Sequence, residues 1–223
     1  DGQQPIIFMQ CGPIRHTAAK PDGAPETLDV TPRVLSATVI VSPDAGIQEV
    51  FRTLAIDDAR TARIAEEIVD AYQQGRKILV LTERTEHLAA IEAALGGRVR
   101  DLVTLQGRSS KKQRVAALAR LEALAPGAPR VLLSTGKLVG EGFDHPPLDT
   151  LVLAMPISWK GTLQQYAGRL HREHAGKTHV QIVDFVDAGH PALMRMWAKR
   201  QVGYRAIGYR VAAAGADLFV ADD

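Results

Sequence analysis

From about residue 57 the chain alternates between two hydrophobic rhythms. Ile64, Ile68, Val69 and Tyr72 fall on one helical face, and Gly75 follows as a stop. Ile78-Leu79-Val80-Leu81, between Lys77 and Thr82, is an unbroken apolar run and predicts a strand buried on both faces. Leu88, Ile91 and Leu95 share the face of a second helix, which Thr85 can cap and Gly96-Gly97 can end. Leu102 to Leu105 predicts a short strand. Ser109 or Ser110 caps a third helix, with Val115, Leu118 and Leu121 turned inward. Further strands are predicted at 130–135, 150–155 and 179–185, with a helix from about Thr162 to Arg172 between the last two. Strands alternating with helices predict an α/β fold, a parallel sheet with helices on both faces. Such a sheet binds its ligands beyond the carboxyl ends of its strands.

The flanks read differently. Ile6 to Met9 is strand-like, 13–32 is rich in Pro, Ala, Asp and Gly and reads as a loop, and 34–41 is again β-like. Residues 1–56 are therefore expected to be a connector, 57–187 the folded domain, and 188–223 a C-terminal helix and tail. Pro191 opens that helix, with Leu193, Met194 and Trp197 following. Gly203-Tyr204-Arg205 recurs as Gly208-Tyr209-Arg210 and predicts a turn with packed tyrosines.

Composition narrows the class. With 46% hydrophobic residues among 223, the chain can bury a sizeable core and is not a disordered segment. A net charge of +2 excludes a strongly basic tail but leaves room for a local basic groove. The single cysteine, Cys11, excludes an intrachain disulfide. No apolar run is long enough to span a bilayer, so no membrane partner is expected. Asp1 to Pro5 carries neither a basic leader nor an initiating Met, which predicts an excised or processed piece of a cytoplasmic protein.

Three segments carry candidate chemistry. The first is Gln165-Tyr166-Ala167-Gly168-Arg169-Leu170-His171-Arg172. Arg169 and Arg172 are a helical turn apart and Gln165 is four before Arg169, so the three share a face of the predicted helix. Gly168 leaves space there for a backbone or ligand. Two guanidinium forks aimed at one point suit a phosphate whose charge shifts during transfer. The second segment follows the strand at 130–135: Thr135-Gly136-Lys137, then Gly140-Glu141-Gly142-Phe143-Asp144. Amides freed by glycines can hold phosphate oxygens, and Asp144 can accept from a ribose hydroxyl. The third comprises Thr82-Glu83-Arg84 and Gln106-Gly107-Arg108, polar and basic groups at strand ends that suit contact with a nucleic-acid backbone.

In this order and placement the segments resemble superfamily 2 helicases of the DEAD/DEAH type. Residues 77–84 resemble motif IV, Ser134 to Asp144 motif V, and Gln165 to Arg172 motif VI. The Lys111-Lys112-Gln113-Arg114 helix is similar to the segment after motif IV. The resemblance implies a RecA-like domain of the P-loop NTPase type, the C-terminal lobe of the motor. Residues 154–161 and the Gly-Tyr-Arg ending are further similar to helicases of bacterial conflict and repair operons, which leans the substrate towards DNA. The resemblance implies that Arg169 and Arg172 act as arginine fingers and that Gln165 senses the γ-phosphate. It implies that Gly142, Asp144 and Gly168 face ATP. Thr82, Glu83, Arg84, Arg108, Thr135, Gly136 and Lys137 would meet the nucleic acid. ATP and Mg2+ would be held mainly by an N-terminal RecA-like lobe of the same polypeptide.

Several look-alikes are set aside. Gly176-Lys177-Thr178 ends like a phosphate loop, but His171 stands where the first glycine is required and a strand follows. The sequence therefore lacks a P-loop of its own. Asp57-Asp58-Ala59-Arg60 reads as a helix start, and Ser36-Ala37-Thr38 as coincidence. His171, His174 and His179 lack the partners for a metal set, so none is expected, and they read as surface or interlobe residues. The rival readings are a RecA-like module that binds nucleic acid or a partner without motor activity, and an ordinary nucleotide-binding α/β enzyme.

Overall fold

The computed structural model describes residues 25–35, 41–107, 109–136, 145–157 and 163–213. The strands are β1 (Thr27–Leu35), β2 (Lys77–Thr82), β3 (Leu102–Leu105), β4 (Arg130–Thr135), β5 (Thr150–Leu153), β6 (His179–Asp187) and β7 (Arg210–Val211). The helices are α1 (Ile47–Ala55), α2 (Asp58–Gln73), α3 (Thr85–Leu95), α4 (Lys111–Glu122), α5 (Gln164–Leu170) and α6 (Pro191–Ala206). The strands form one sheet in the order β3-β4-β2-β5-β6-β1-β7, and every pairing is parallel.

The expected burial on both faces is present. Strand side chains alternate between faces, so Leu79, Leu81, Leu132, Leu151, Leu153 and Ile182 point one way. There they meet Leu121 of α4, Tyr166 and Leu170 of α5, and Trp197 and Tyr204 of α6. Ile78, Val80, Val131, Leu133, Val152 and Val183 point the other way, onto Ile64 and Ile68 of α2 and Leu88, Ile91 and Leu95 of α3. A small third cluster joins Val50, Phe51 and Leu54 of α1 to Met155 and Leu193. Asp57 caps α2 by accepting from the Arg60 N–H, and Gly96 ends α3 at φ +55°.

Four expectations change. Residues 27–55 are not a connector: β1 pairs with β6 along its whole length and α1 packs on the core, so the boundary at 57 cuts through the fold. A strand lies at 27–35, across Pro32, and residues 36–40 of the β-like run at 34–41 lie outside the described residues. Val30 accepts from Ala212 on the β7 side, so by alternation Pro32 turns its missing donor to that side, past the two residues that β7 covers. Thr85 does not cap α3; it is the first helical residue, because only Glu83 and Arg84 separate it from β2. Ser110 does cap α4, in a reciprocal box with Gln113, but Val115 is 58% exposed because α4 leans on the sheet through its later turns. Finally, Tyr204 and Tyr209 are packed as expected, yet the first Gly-Tyr-Arg is the last turn of α6 and only Gly208, at φ +90°, makes a turn.

Two buried ion pairs brace the carboxyl end of the sheet from opposite faces. Arg60 holds Asp187 at 2.8 and 3.1 Å and donates to the Ala154 carbonyl at 2.8 Å. Arg200 holds Asp184 at 2.7 and 2.9 Å and donates to the Ile157 carbonyl at 3.3 Å, while the Tyr204 hydroxyl donates to Asp184 at 2.7 Å. Both arginines thus also fix the chain leaving β5, the segment that leads to α5.

Candidate functional site

Register brings the candidate strand ends together. Thr82 lies opposite Thr135, and Leu105 opposite Ser134. Three segments far apart in sequence (82–84, 106–107 and 135–136) therefore form one rim at the carboxyl ends of β2, β3 and β4. Exposed Lys111 and Lys112 open α4 behind the Ser110 cap, and Gln106 and Ser109 are hydrogen-bonded across the short turn between the rim and that helix start.

Thr82 is 1% exposed; its hydroxyl lies 3.0 Å from His87 Nδ1 and accepts the Arg84 N–H at 3.4 Å. The expected contact of Thr82 with a nucleic-acid strand does not fit this placement, since its oxygen is turned inward. His87 is fully buried, and burial, helped by the Arg60 charge and opposed by Glu86, lowers it to about 3. It is a neutral packing group. Glu83 is exposed at the surface, yet the crowded strand end desolvates its carboxyl and raises it, against the pull of Arg84. Arg84 is half-buried and donates to the Gln48 carbonyl at 3.1 Å and the Gln48 side chain at 3.2 Å, which ties the rim to α1. Thr135 is 7% exposed, and its Oγ1 has no hydrogen-bond partner among the described residues. Gly107 sits beside that oxygen: a Cβ there would lie 3.6 Å from it. Arg108, Lys137, Gly142 and Asp144 lie outside the described residues, as do Cys11, the strand-like Ile6 to Met9 and Ser36-Ala37-Thr38.

α5 carries the second half of the site. Tyr166, Ala167 and Leu170 are buried against the sheet, which leaves Gln165 and Gly168 exposed and Arg169 half-exposed on the outer side. A Cβ on Gly168 would meet nothing within 4 Å among the described residues, so the surface there is open to an approaching group. The helix ends at Leu170, with His171 at the cap, two residues earlier than the spacing predicts. Arg172 is exposed beyond that end, so helical periodicity does not set its direction.

Sequence reasoning missed the link between the two halves. The Tyr166 hydroxyl donates to the Gly136 carbonyl at 2.6 Å, and a Cβ on Gly136 would lie 2.5 Å from that hydroxyl. Burial first, then the Glu83 carboxylate, pushes the phenol up to about 12, while Arg169 opposes them. The available signal was modest: Tyr166 shares the inward register of Ala167 and Leu170. The histidines also differ from expectation. His171 stacks on Tyr209 with ring centroids 5.4 Å apart, and His179 lies 3.1 Å from Asp29, so both serve contacts within the chain. Among the described residues no group of three His, Cys, Asp or Glu could hold a metal ion. No helix among them is long and apolar enough to cross a membrane.

The chain resembles known proteins over most of its length. It is 29% identical over 136 residues to the probable helicase D10 of Escherichia phage T5, which covers 61% of this chain and 29% of that one. It is 39% identical over 75 residues to uncharacterized protein 108L of Invertebrate iridescent virus 3, covering 34% and 67% respectively. The chain thus spans about three tenths of the phage relative's length. Among solved structures, UvsW of T4 superposes over 83% of this chain and 40% of its own with a TM-score of 0.64 at 17% identity. Dbp5 of S. cerevisiae, bound to RNA and ADP BeF3, superposes over 85% and 42% with a TM-score of 0.56 at 12% identity. Both likenesses establish the RecA-like fold. The family model of the helicase conserved C-terminal domain matches residues 60–174, more than half of the chain and the span from α2 to just beyond the arginine helix, and the protein belongs to that family.

Proposed function

We propose that this chain is the C-terminal motor lobe of an ATP-dependent nucleic-acid helicase or translocase acting on DNA. One observation carries the reading: within the family-matched segment, α5 leaves Gln165 and Gly168 exposed and Arg169 partly exposed, while its buried side is bonded to the rim of strand ends. A nucleotide-facing surface and a strand-facing rim are thereby parts of one rigid unit.

Bound ATP with Mg2+ would supply the phosphoryl group to be transferred. The residues here fit part of that task. Arg169 and Arg172 supply fixed positive charge where charge develops, and Gln165 supplies an amide for orientation. Gly168 admits close approach, and Gly142 and Asp144 would face the nucleotide, as the resemblance to motif V implies. The sequence has no phosphate loop, and no metal ligand is assigned to it. The cradle and the Mg2+ carboxylates would belong to an N-terminal RecA-like lobe of the same polypeptide. On the rim, Gly136, Lys137, Arg108 and Arg84, with Lys111 and Lys112 at the helix start, would grip backbone phosphates. Thr135, whose hydroxyl is buried, would help to set the path of the Gly136 backbone. Glu83 and Thr82 would shape the rim instead of binding phosphate. Such contacts position a strand without reading its bases.

The test is Arg169→Ala and Arg172→Ala in the full-length protein, with single-stranded DNA as activator. Turnover should fall by about 10³–10⁵ while strand affinity is kept. Wild-type turnover in both variants would overturn the assignment. A wild-type protein that binds DNA and never hydrolyses ATP would establish the module without motor activity.

A further inference from the structure

The Tyr166 hydroxyl is a polar atom on the buried side of a helix whose other side carries the proposed finger. Tyr166 is 4% exposed, so its donor has no route to bulk water and needs a protein acceptor. That acceptor is the carbonyl of Gly136, the residue directly after Thr135 at the end of β4. The same Thr135 holds an inward oxygen that meets no partner among the described residues, next to the backbone of Gly107. The bond therefore joins the part of the rim with unused hydrogen-bonding capacity to the helix turn bearing Gln165 and Arg169.

From this geometry we infer that Tyr166 is a positioning residue which couples strand engagement at Thr135–Gly136 to the placement of Arg169. The inference rests on the motor-lobe reading and deepens it. A strand that draws on the Gly136 backbone shifts the Gly136 carbonyl. The phenol must then follow, carrying α5 with it, or be left buried and unpaired, which is the costly alternative. The phenol stays protonated at any physiological pH, because burial holds it at about 12, so the donor is always present. Glycine is required opposite it: a methyl on Gly136 would occupy the place of the hydroxyl, 2.5 Å away. Without Cβ, residue 136 can move against the ring and still keep the bond.

The experiment uses the full-length protein and measures ATPase as a function of single-stranded DNA concentration for wild type, Y166F, G136A and the double variant. Y166F should lower the maximal stimulated rate by up to about tenfold, the size of one lost hydrogen bond, with the half-stimulating DNA concentration unchanged. G136A should be impaired in the tyrosine background and add little in Y166F, where the hydroxyl it would strike is gone; independent effects would add. Thermal melting of Y166F should stay cooperative and fall by only a few degrees, the size of one neutral hydrogen bond, which separates coupling from loss of fold. If wild type is stimulated and Y166F is stimulated equally, the coupling role falls and the motor reading stands. Additive losses in the double variant, or a loss expressed only as weaker DNA activation, would equally sink it. A wild type without DNA-stimulated turnover would sink the motor reading and the coupling with it.

Discussion

Asp184→Asn is the substitution whose cost the structure defines most sharply. Asp184 is completely buried, and its carboxylate receives both forks of Arg200 at 2.7 and 2.9 Å and the Tyr204 hydroxyl at 2.7 Å. Arg200 is 1% exposed and lies over the Trp197 ring at 5.6 Å. Replacing the carboxylate by an amide removes the only negative charge in contact with that guanidinium among the described residues and aims an N–H₂ at existing donors. Removing one partner of a buried pair costs about 3–5 kcal/mol, because the remaining charge is left uncompensated. The Arg33–Glu67 pair supplies the contrast: its side chains are 32% and 18% exposed at 2.8 Å, so Glu67→Gln should cost no more than about 1 kcal/mol. Tyr204→Phe falls between, at about 1.5–3 kcal/mol, for one hydrogen bond to a charged group.

Equilibrium urea unfolding reads these differences directly. With a slope of about 2–3 kcal/mol per molar urea, Asp184→Asn should lower the midpoint by about 1–2 M, and Glu67→Gln by less than about 0.5 M. The double change Asp184→Leu with Arg200→Met should lose less than Asp184→Asn alone, because no buried charge is then stranded. A midpoint for Asp184→Asn within error of Glu67→Gln would refute the argument, since it would mean that burial does not decide the strength of these pairs.

Three further outcomes are expected. The phenols of Tyr166, Tyr204 and Tyr209 are all raised, by burial first, with Tyr166 at about 12. Their folded values exceed the ordinary one, so the stability they contribute is complete below about pH 10 and is lost as pH rises through the folded values; Tyr166→Phe should flatten that alkaline loss in a denaturation series from pH 9 to 12. His87 shifts the opposite way, from 6.5 to about 3. Its share of stability is present above pH 6.5 and declines as pH falls towards 3, and its imidazole NMR shifts should stay flat between pH 5 and 8. Gly96→Ala, at φ +55°, should cost roughly 1–2 kcal/mol in the same urea assay, whereas Gly168→Ala, with open space around it, should leave stability nearly unchanged.

How much was legible depended on whether the physical cause was local. β2 and β4 were readable because strands covered on both faces must be apolar throughout, and α2 because Ile64, Ile68 and Val69 keep one helical face. β1 was not: Thr27, Asp29, Thr31 and Arg33 interrupt its apolar residues, as a strand next to the two-residue β7 can tolerate. Spacing alone placed Gln165, Arg169 and Arg172 on one side of a helix, and of these Arg172 lies beyond the helix end. The residues that hold that helix were not visible. Tyr166 and Gly136 are 30 positions apart, and Arg60 and Asp187 are 127 apart, so nothing in either neighbourhood announces the partner.

The shortness of α5 explains why those distant contacts matter. A helix of seven residues is far below the length that is stable alone in water. Its place is set by Leu163, Tyr166, Ala167 and Leu170 against the sheet, and by a leading segment that Arg60 and Arg200 grip at the carbonyls of Ala154 and Ile157. The position of Arg169 is therefore a property of the whole carboxyl end of the sheet, not of the motif that contains it. Substitutions at Asp184 or Asp187, far from any proposed phosphate, should displace Arg169 as well as weaken the fold. Tyr166→Phe, which leaves those braces intact, separates the two effects: it tests orientation with the supporting structure in place.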